Sequence, residues 1–233
     1  MDEILELSVV LPAYNEAGVI STVLDEVITW CEHTLSSWEI IVVDDGSTDA
    51  TAKMVSQAAT HYRQIRLVSH PRRQGYGQAL RSGFKASGKE WILLMDADGQ
   101  FAIADVLTFL PHTAKTSMII GYWARRADTF WRTFLTSAYM AAVRGLLKVQ
   151  LRDADCGFKL FRRSLWQQVQ PIGAADDKLF SVEWLRKAGQ ITPIVELPVR
   201  HFPRRSGLAT GASWPVMAAS GKEFFWAWLN LKP

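Results

Sequence analysis

Four short apolar runs, each stopped by polar residues and parted from the next by a stretch of helical spacing, constrain the fold of this chain more than any other feature. The runs are Leu7-Ser-Val-Val-Leu11, Glu39-Ile-Ile-Val-Val43, Ile65–Ser69 and Trp91–Met95. Short apolar runs bounded in this way read as buried strands. Between the first two, residues 17–34 place Ile20, Val23, Leu24, Val27 and Ile28 on one stripe, as an amphipathic helix does. Ser47 or Thr48 is positioned to cap a second helix that continues to about Thr60, and residues 76–87 form a third. The alternation predicts an α/β fold with a mostly parallel central sheet and helices on both faces. No repeat, linker or low-complexity segment interrupts the 233 residues, which are read as one domain, 1–233.

Open sheets of this kind bind ligands beyond the carboxyl ends of their strands, and here those ends are rich in polar groups. The first run ends in Pro12-Ala-Tyr-Asn-Glu16, the second in Asp44-Asp45, the fourth in Asp96-Ala-Asp-Gly-Gln100. Alternate residues of an extended chain share a side, so Asp96, Asp98 and Gln100 form a row of hard oxygen donors. Such a row suits Mg2+ or Mn2+, which keep positions for water and substrate phosphates. The other reading of Asp96-Ala-Asp98 is a plain Asp/Gly turn, and of Asp44-Asp45 an Asx turn that caps a helix. No Gly-x-Gly-x-x-Gly follows the first strand, no Walker loop occurs, and Gly75-Tyr-Gly77 opens a helix without either pattern. The five histidines fall at no metal-ligand spacing, which argues against zinc.

Four segments in order, Val9-Val-Leu-Pro-Ala-Tyr-Asn-Glu16, Ile41-Val-Val-Asp-Asp-Gly-Ser-Thr-Asp49, Met95-Asp-Ala-Asp-Gly-Gln100 and Asp153-Ala-Asp-Cys-Gly-Phe-Lys-Leu-Phe-Arg-Arg163, resemble the motifs of family 2 glycosyltransferases. The nearest branch is the dolichyl-phosphate mannose synthase and polyprenyl-phosphate glycosyltransferase group. The resemblance covers about residues 7 to 211. It implies a GT-A fold, a Mg2+ or Mn2+ cofactor, and inverting transfer of a sugar from a GDP- or UDP-linked donor. It places Tyr14 and Asp45 on the base and ribose, with Pro12, Ala13 and Glu16 lining the same pocket and Gly75 beside it. It puts Asp96, Asp98 and Gln100 around the metal, with Asp98 central to catalysis. Arg73 stands where many relatives have Asn, and Ala102-Ile103 replaces an acidic or proline-bearing stretch; neither removes a ligand.

Charge divides the chain. Residues 1–120 hold 9 Lys/Arg against 15 Asp/Glu, and residues 121–233 hold 17 against 8. An acidic nucleotide and metal half followed by a basic acceptor half is one reading; a solvated basic face is the other. Residues 128–149 carry Phe130, Trp131, Phe134, Leu135, Tyr139 and Val143 on one side of a helix, with Arg125, Arg126, Arg132, Arg144 and Lys148 around it. Such a basic, aromatic, amphipathic helix suits a membrane interface beside a lipid phosphate, or else packs on the sheet. The tail from Ser213 through Leu231 repeats the theme. The expected acceptor is a polyprenyl or dolichyl phosphate held by Arg126, Arg132 and Arg205, with Arg204 competing for the place of Arg205. A sugar hydroxyl acceptor would require a base, for which Asp153 comes first and Asp155 second.

The longest uncharged run, Ser206 to Gly221, is broken by glycine and proline and falls short of the roughly 20 apolar residues a spanning helix needs. Cys31 and Cys156 lie far apart, as reduced thiols do, and Met1-Asp-Glu is acidic where a signal peptide is basic. These features predict a cytoplasmic protein, peripheral on a membrane surface, with no nucleic-acid partner. Two further readings stay open: transfer to a soluble or protein acceptor, and a non-catalytic GT-A domain serving as a scaffold.

Overall fold

The computed structural model describes residues 6–123, 151–170 and 178–204. The expected helix over 128–149, the tail from Ser213, and Arg126, Arg132 and Arg205 lie outside them.

The four apolar runs are strands, as expected: β1 (Glu6–Ala13), β2 (Ser37–Asp44), β3 (Ile65–Ser69) and β4 (Trp91–Met95). Helices α1 (Ile20–Thr34), α2 (Thr51–His61) and α3 (Tyr76–Ala86) connect them. Beyond β4 come two 3-10 turns (Ile103–Thr108 and Leu110–His112), then β5 (Met118–Trp123), β6 (Phe158–Arg162), α4 (Arg163–Gln168), α5 (Lys178–Gly189) and β7 (Ile194–Val199). The strands form one seven-stranded sheet in the order β3-β2-β1-β4-β6-β5-β7. The β1–β2, β1–β4, β2–β3 and β5–β7 pairs are parallel, and β6 alone runs antiparallel to both neighbours, β4 and β5.

Why these runs become central strands follows from burial on both faces, which a continuous apolar run tolerates and an alternating one does not. Side chains of successive residues enter two separate cores. Leu7, Val9, Leu11, Ile40, Val42, Leu93 and Leu160 pack with α1 and Val55 of α2 on one face. Val10, Ile41, Val43, Ile92, Leu94 and Ile120 pack with α3, α4 and α5 on the other, where Phe84, Phe161, Trp166 and Trp184 meet edge-on. Helices therefore cover both faces, as the alternation predicted.

Two helix starts differ from expectation. Helix α1 opens at Ile20 rather than near 17, because the Glu16 carbonyl accepts from both Val19 and Ile20 amides and closes a turn first. Helix α2 opens at Thr51, and neither Ser47 nor Thr48 caps it; both are bonded instead to Asn15 in the neighbouring loop.

The strand order sets the position of the site. After β1 the chain moves outward to β2 and β3, then returns to place β4 on the other side of β1. The crevice between β1 and β4 is thus a topological switch point, where diverging loops leave an opening for ligand. Because β6 is antiparallel, its leading residues 153–157 arrive at this same edge.

Candidate active site

Two loops meet beyond β1 and β2. The Asn15 amide donates to Ser47 Oγ at 2.9 Å, and Asn15 Oδ1 accepts the Thr48 amide at 2.8 Å. The Glu16 amide donates to Thr51 Oγ1 at 2.9 Å, and the Ala17 amide to Asp49 Oδ2 at 3.1 Å. Asn15 adopts φ 56°, a left-handed conformation that Asn tolerates better than most residues. The result presents Tyr14 half-buried beside the strand end, with the Arg73 guanidinium 4.5 Å above its ring. Pro12 and Ala13, expected to line the pocket, are buried residues of β1 paired with Val43 and Asp44.

Asp45, expected to touch the nucleotide, is a structural hub in this structure. Its Oδ1 accepts from His70 Nδ1 at 2.7 Å and the Gln74 amide at 2.9 Å; its Oδ2 accepts the Gly75 amide at 2.8 Å. His70 Nε2 continues to Ser82 Oγ at 2.9 Å. Gly75 sits at φ 100°, which favours glycine, and caps α3. Asp45 thus fixes the backbone at Gly75, which is expected beside the pocket.

The acidic pair stands at the end of β4. The Tyr76 hydroxyl donates to Asp96 Oδ1 at 2.6 Å, and Asp96 Oδ2 lies over Gly157, where a Cβ would stand 1.9 Å from it. Asp98 Oδ1 accepts the Gln100 amide at 3.1 Å. Burial first, and then the charge of Asp98, push the Asp96 carboxyl up to about 7, against the Tyr76 hydrogen bond. Burial also raises Asp98, opposed by the Gln100 amide and Arg204. Lys159, fully buried on β6, lends Asp96 an opposing positive charge and donates to the Cys156 carbonyl.

Across the crevice, Arg204 donates to Glu16 Oε1, and its Nη1 lies 3.9 Å from Asp98 Oδ2. Glu16 is 5% exposed, and its Oε2 is buried without a hydrogen-bond partner among the described residues. Burial raises the Glu16 carboxyl to about 7 despite the nearby arginine. The Arg204 loop is tied down along its length. The Phe202 amide donates to the Gln100 carbonyl at 2.9 Å, and Gln100 Nε2 donates to the Phe202 carbonyl at 3.0 Å. Arg200 makes two contacts of 2.7 Å with Asp105 through its side chain and a third through its amide. The Gln100 side chain thus tethers this loop through its nitrogen, and its oxygen is the atom expected to face a metal.

Of the expected site residues, the structure brings together Glu16, Asp96, Asp98, Gln100 and Arg204, and sets Tyr14 and Asp45 beside them. Asp153 is buried in the loop before β6, where its Oδ1 accepts the Asp155 amide at 3.2 Å, while Asp155 is exposed. Tyr76, His70 and Lys159 were not foreseen. Gly75-Tyr-Gly77 was the available signal for Tyr76; a lysine amid apolar β6 residues was the signal for Lys159.

Among the described residues, no three His, Cys, Asp or Glu side chains converge as a complete cage for a metal. Mg2+ and Mn2+ do not require one, since one or two carboxylates and substrate phosphates suffice. Asp96 and Asp98 supply that number of donors. Burial, more than any neighbouring charge, raises the pKa of both carboxyls and of Glu16; a cation would favour their ionised forms, so the residues fit a divalent ion.

Comparison with known proteins places the chain in a family and a fold. The model of glycosyl transferase family 2 matches residues 8–169. The chain is 32% identical over 222 residues to the dolichyl-phosphate beta-glucosyltransferase of Saccharomyces cerevisiae, covering 83% of this chain and 66% of that one. A protein of the same description from Trichomonas vaginalis is 36% identical, with 82% of this chain and 62% of the relative covered. The human protein of that description is 28% identical over 97% of this chain and 72% of its own length. The chain thus spans about two thirds of the length of the curated relatives it matches. Solved structures with the same GT-A fold include glucosyl-3-phosphoglycerate synthase of Mycobacterium tuberculosis in complex with Mn2+, UDP-glucose and phosphoglyceric acid. It has a TM-score of 0.64 at 22% identity, covering 95% of this chain and 80% of that one. A mannosyltransferase of Pyrobaculum calidifontis in complex with GDP-Man and Mn2+ has a TM-score of 0.62 at 19% identity, covering 98% and 73%.

Proposed function

The chain belongs to glycosyl transferase family 2, and from that premise we propose that it moves a glucosyl residue from a nucleotide-diphosphate donor to a dolichyl or polyprenyl phosphate. The names of its relatives support both the sugar and the acceptor. The observation that carries the reading is the Asp96–Asp98 pair at the β1/β4 switch point, faced by Arg204 and flanked by the Tyr14–Arg73 stack. A donor has two parts to recognise, a flat base and a charged diphosphate, and the crevice offers an aromatic surface beside an ion-binding edge.

Mg2+ or Mn2+, held by Asp96 and Asp98, supplies positive charge to the departing nucleoside diphosphate when bound. The side chains do the rest. Tyr14 and Arg73 hold the base. Arg204, already fixed against Glu16, offers guanidinium N–H groups to phosphate oxygens. The acceptor phosphate is an anion at neutral pH and attacks the anomeric carbon from the opposite face without a general base. Arg126, Arg132 and Arg205 orient it. Asp153 is the base for a hydroxyl acceptor if one is used. No helix among the described residues is long and apolar enough to cross a membrane; membrane contact is assigned to the basic, aromatic stretch 128–149 on its sequence alone.

Nucleotide release measured with UDP-glucose and GDP-mannose, with and without polyprenyl phosphate, tests the proposal. Release from UDP-glucose that depends on both the lipid phosphate and Mn2+ is the expected result. Release that ignores the lipid, with transfer to a soluble sugar instead, overturns the acceptor; no release from any donor overturns the activity.

A further inference from the structure

Tyr76 opens α3 between the two functional clusters without belonging to either. Its backbone neighbour Gly75 is held by Asp45 Oδ2, Gln74 by Asp45 Oδ1, and His70 links the same carboxylate to Ser82 further along α3. Helix α3 is therefore pinned to the end of β2 at two points, so the phenol leaves it from a fixed origin. The ring then reaches the end of β4, where its hydroxyl donates to Asp96 Oδ1 at 2.6 Å. Asp96 Oδ2 fills the space that a side chain at 157 would occupy. Rotation of this carboxylate breaks the tyrosine hydrogen bond.

Packing alone does not require the hydroxyl, because phenylalanine fills the same volume. The half-buried phenol has its partner in one of the two carboxylates read as metal donors. Burial and the adjacent Asp96 charge keep the phenol protonated, so it stays a donor. We infer that Tyr76, held in place through Gly75 and Asp45, is a positioning residue for the divalent-ion pair. The inference rests on the reading of Asp96 and Asp98 as that pair. Groups of this kind, bonded to a ligand rather than to the ion, typically change metal affinity by about 10- to 100-fold when removed.

Titration of Mn2+ by the electron paramagnetic resonance signal of the free ion, with UDP present, tests this on the full chain. Tyr76→Phe is expected to weaken Mn2+ binding about tenfold while leaving UDP affinity in EDTA within about twofold. An Asp96→Asn, Tyr76→Phe double variant is expected to bind Mn2+ no more weakly than Asp96→Asn alone, because two changes acting through one group are not additive. The inference is overturned by wild-type Mn2+ affinity in Tyr76→Phe, by an equal loss of UDP affinity without metal, or by additive losses in the double variant. Absence of Mn2+-dependent UDP binding in the wild type instead overturns the reading of the ion pair itself.

Discussion

Replacing Asp96 by Asn tests whether the site stores unfavourable charge in its metal-free state. Asn retains an oxygen to accept the Tyr76 hydroxyl and has nearly the same shape, so packing over Gly157 changes little. What it removes is a carboxyl whose folded-state pKa is raised from 3.8 to about 7 by burial and by Asp98. A group raised in this way favours the folded state fully below its unfolded value, and that contribution is lost as pH rises from about 4 through about 7. Above pH 7 the wild-type protein therefore carries an electrostatic penalty that the variant lacks. Taken at about 1.4 kcal/mol per pH unit the whole shift comes to about 4 kcal/mol, an upper figure because Asp98 shares the interaction; about 2–4 kcal/mol is the working range. For a chain of this length that is roughly 5–10 °C in Tm. Thermal melting in EDTA should show Asp96→Asn more stable than wild type at pH 8.5 and equal to it near pH 4. Adding Mn2+ and UDP at pH 8.5 should raise the wild-type Tm and leave the variant nearly unmoved. A variant less stable than wild type at pH 8.5 by the same margin as at pH 4 would refute the argument, since Asp96 would then be a structural hydrogen-bond acceptor only.

Two other outcomes follow from the same contacts. Arg204→Ala removes a guanidinium held between Glu16 and Asp98; loss of a charge-assisted phosphate contact of about 1.5–3 kcal/mol lowers kcat/KM by about one to two decades, and steady-state values near wild type would take the loop out of the active site. Gly157→Ala places a Cβ 1.9 Å from Asp96 Oδ2 and is expected to lower Tm by an overpacking cost of about 1–3 kcal/mol; adding Asp96→Ala should restore most of that stability, and a double variant no more stable than Gly157→Ala would show that the clash lies elsewhere.

The sheet was legible because its strands are buried on both faces and so appear as unbroken apolar runs. The donor row was legible because polar residues gather where such runs stop. Direction was harder to read: Phe158–Arg162 looks like any other buried strand, and only pairing reveals that it runs against its neighbours. Helix starts shifted because Ser47, Thr48 and Asp49 bond across to another loop, a long-range competition that a local capping rule does not contain. The spacing of Gln100 does not reveal the contact that its amide nitrogen makes. The side-chain amide was drawn to the Phe202 carbonyl, 102 residues away. Asp45 illustrates the same limit, since its three acceptor contacts come from a loop about 30 residues on.

The placement of neutralising groups explains how like charges are held together here without collapse of the edge. Glu16, Asp96 and Asp98 come from the acidic first half of the chain, and their repulsion grows as burial excludes water. Three devices oppose it, each from a different element. Tyr76 donates a neutral hydrogen bond from α3, Lys159 places a buried ammonium beneath the pair from β6, and Arg204 spans Glu16 and Asp98 from the loop after β7. The first two sit on packed elements and are fixed. The third is on a loop, anchored through Gln100 and Asp105 but carrying its guanidinium beyond those anchors. A diphosphate and its cation entering the crevice bring both an anion for Arg204 and a positive charge for the carboxylates, so the arginine can exchange one anionic partner for another at little net cost.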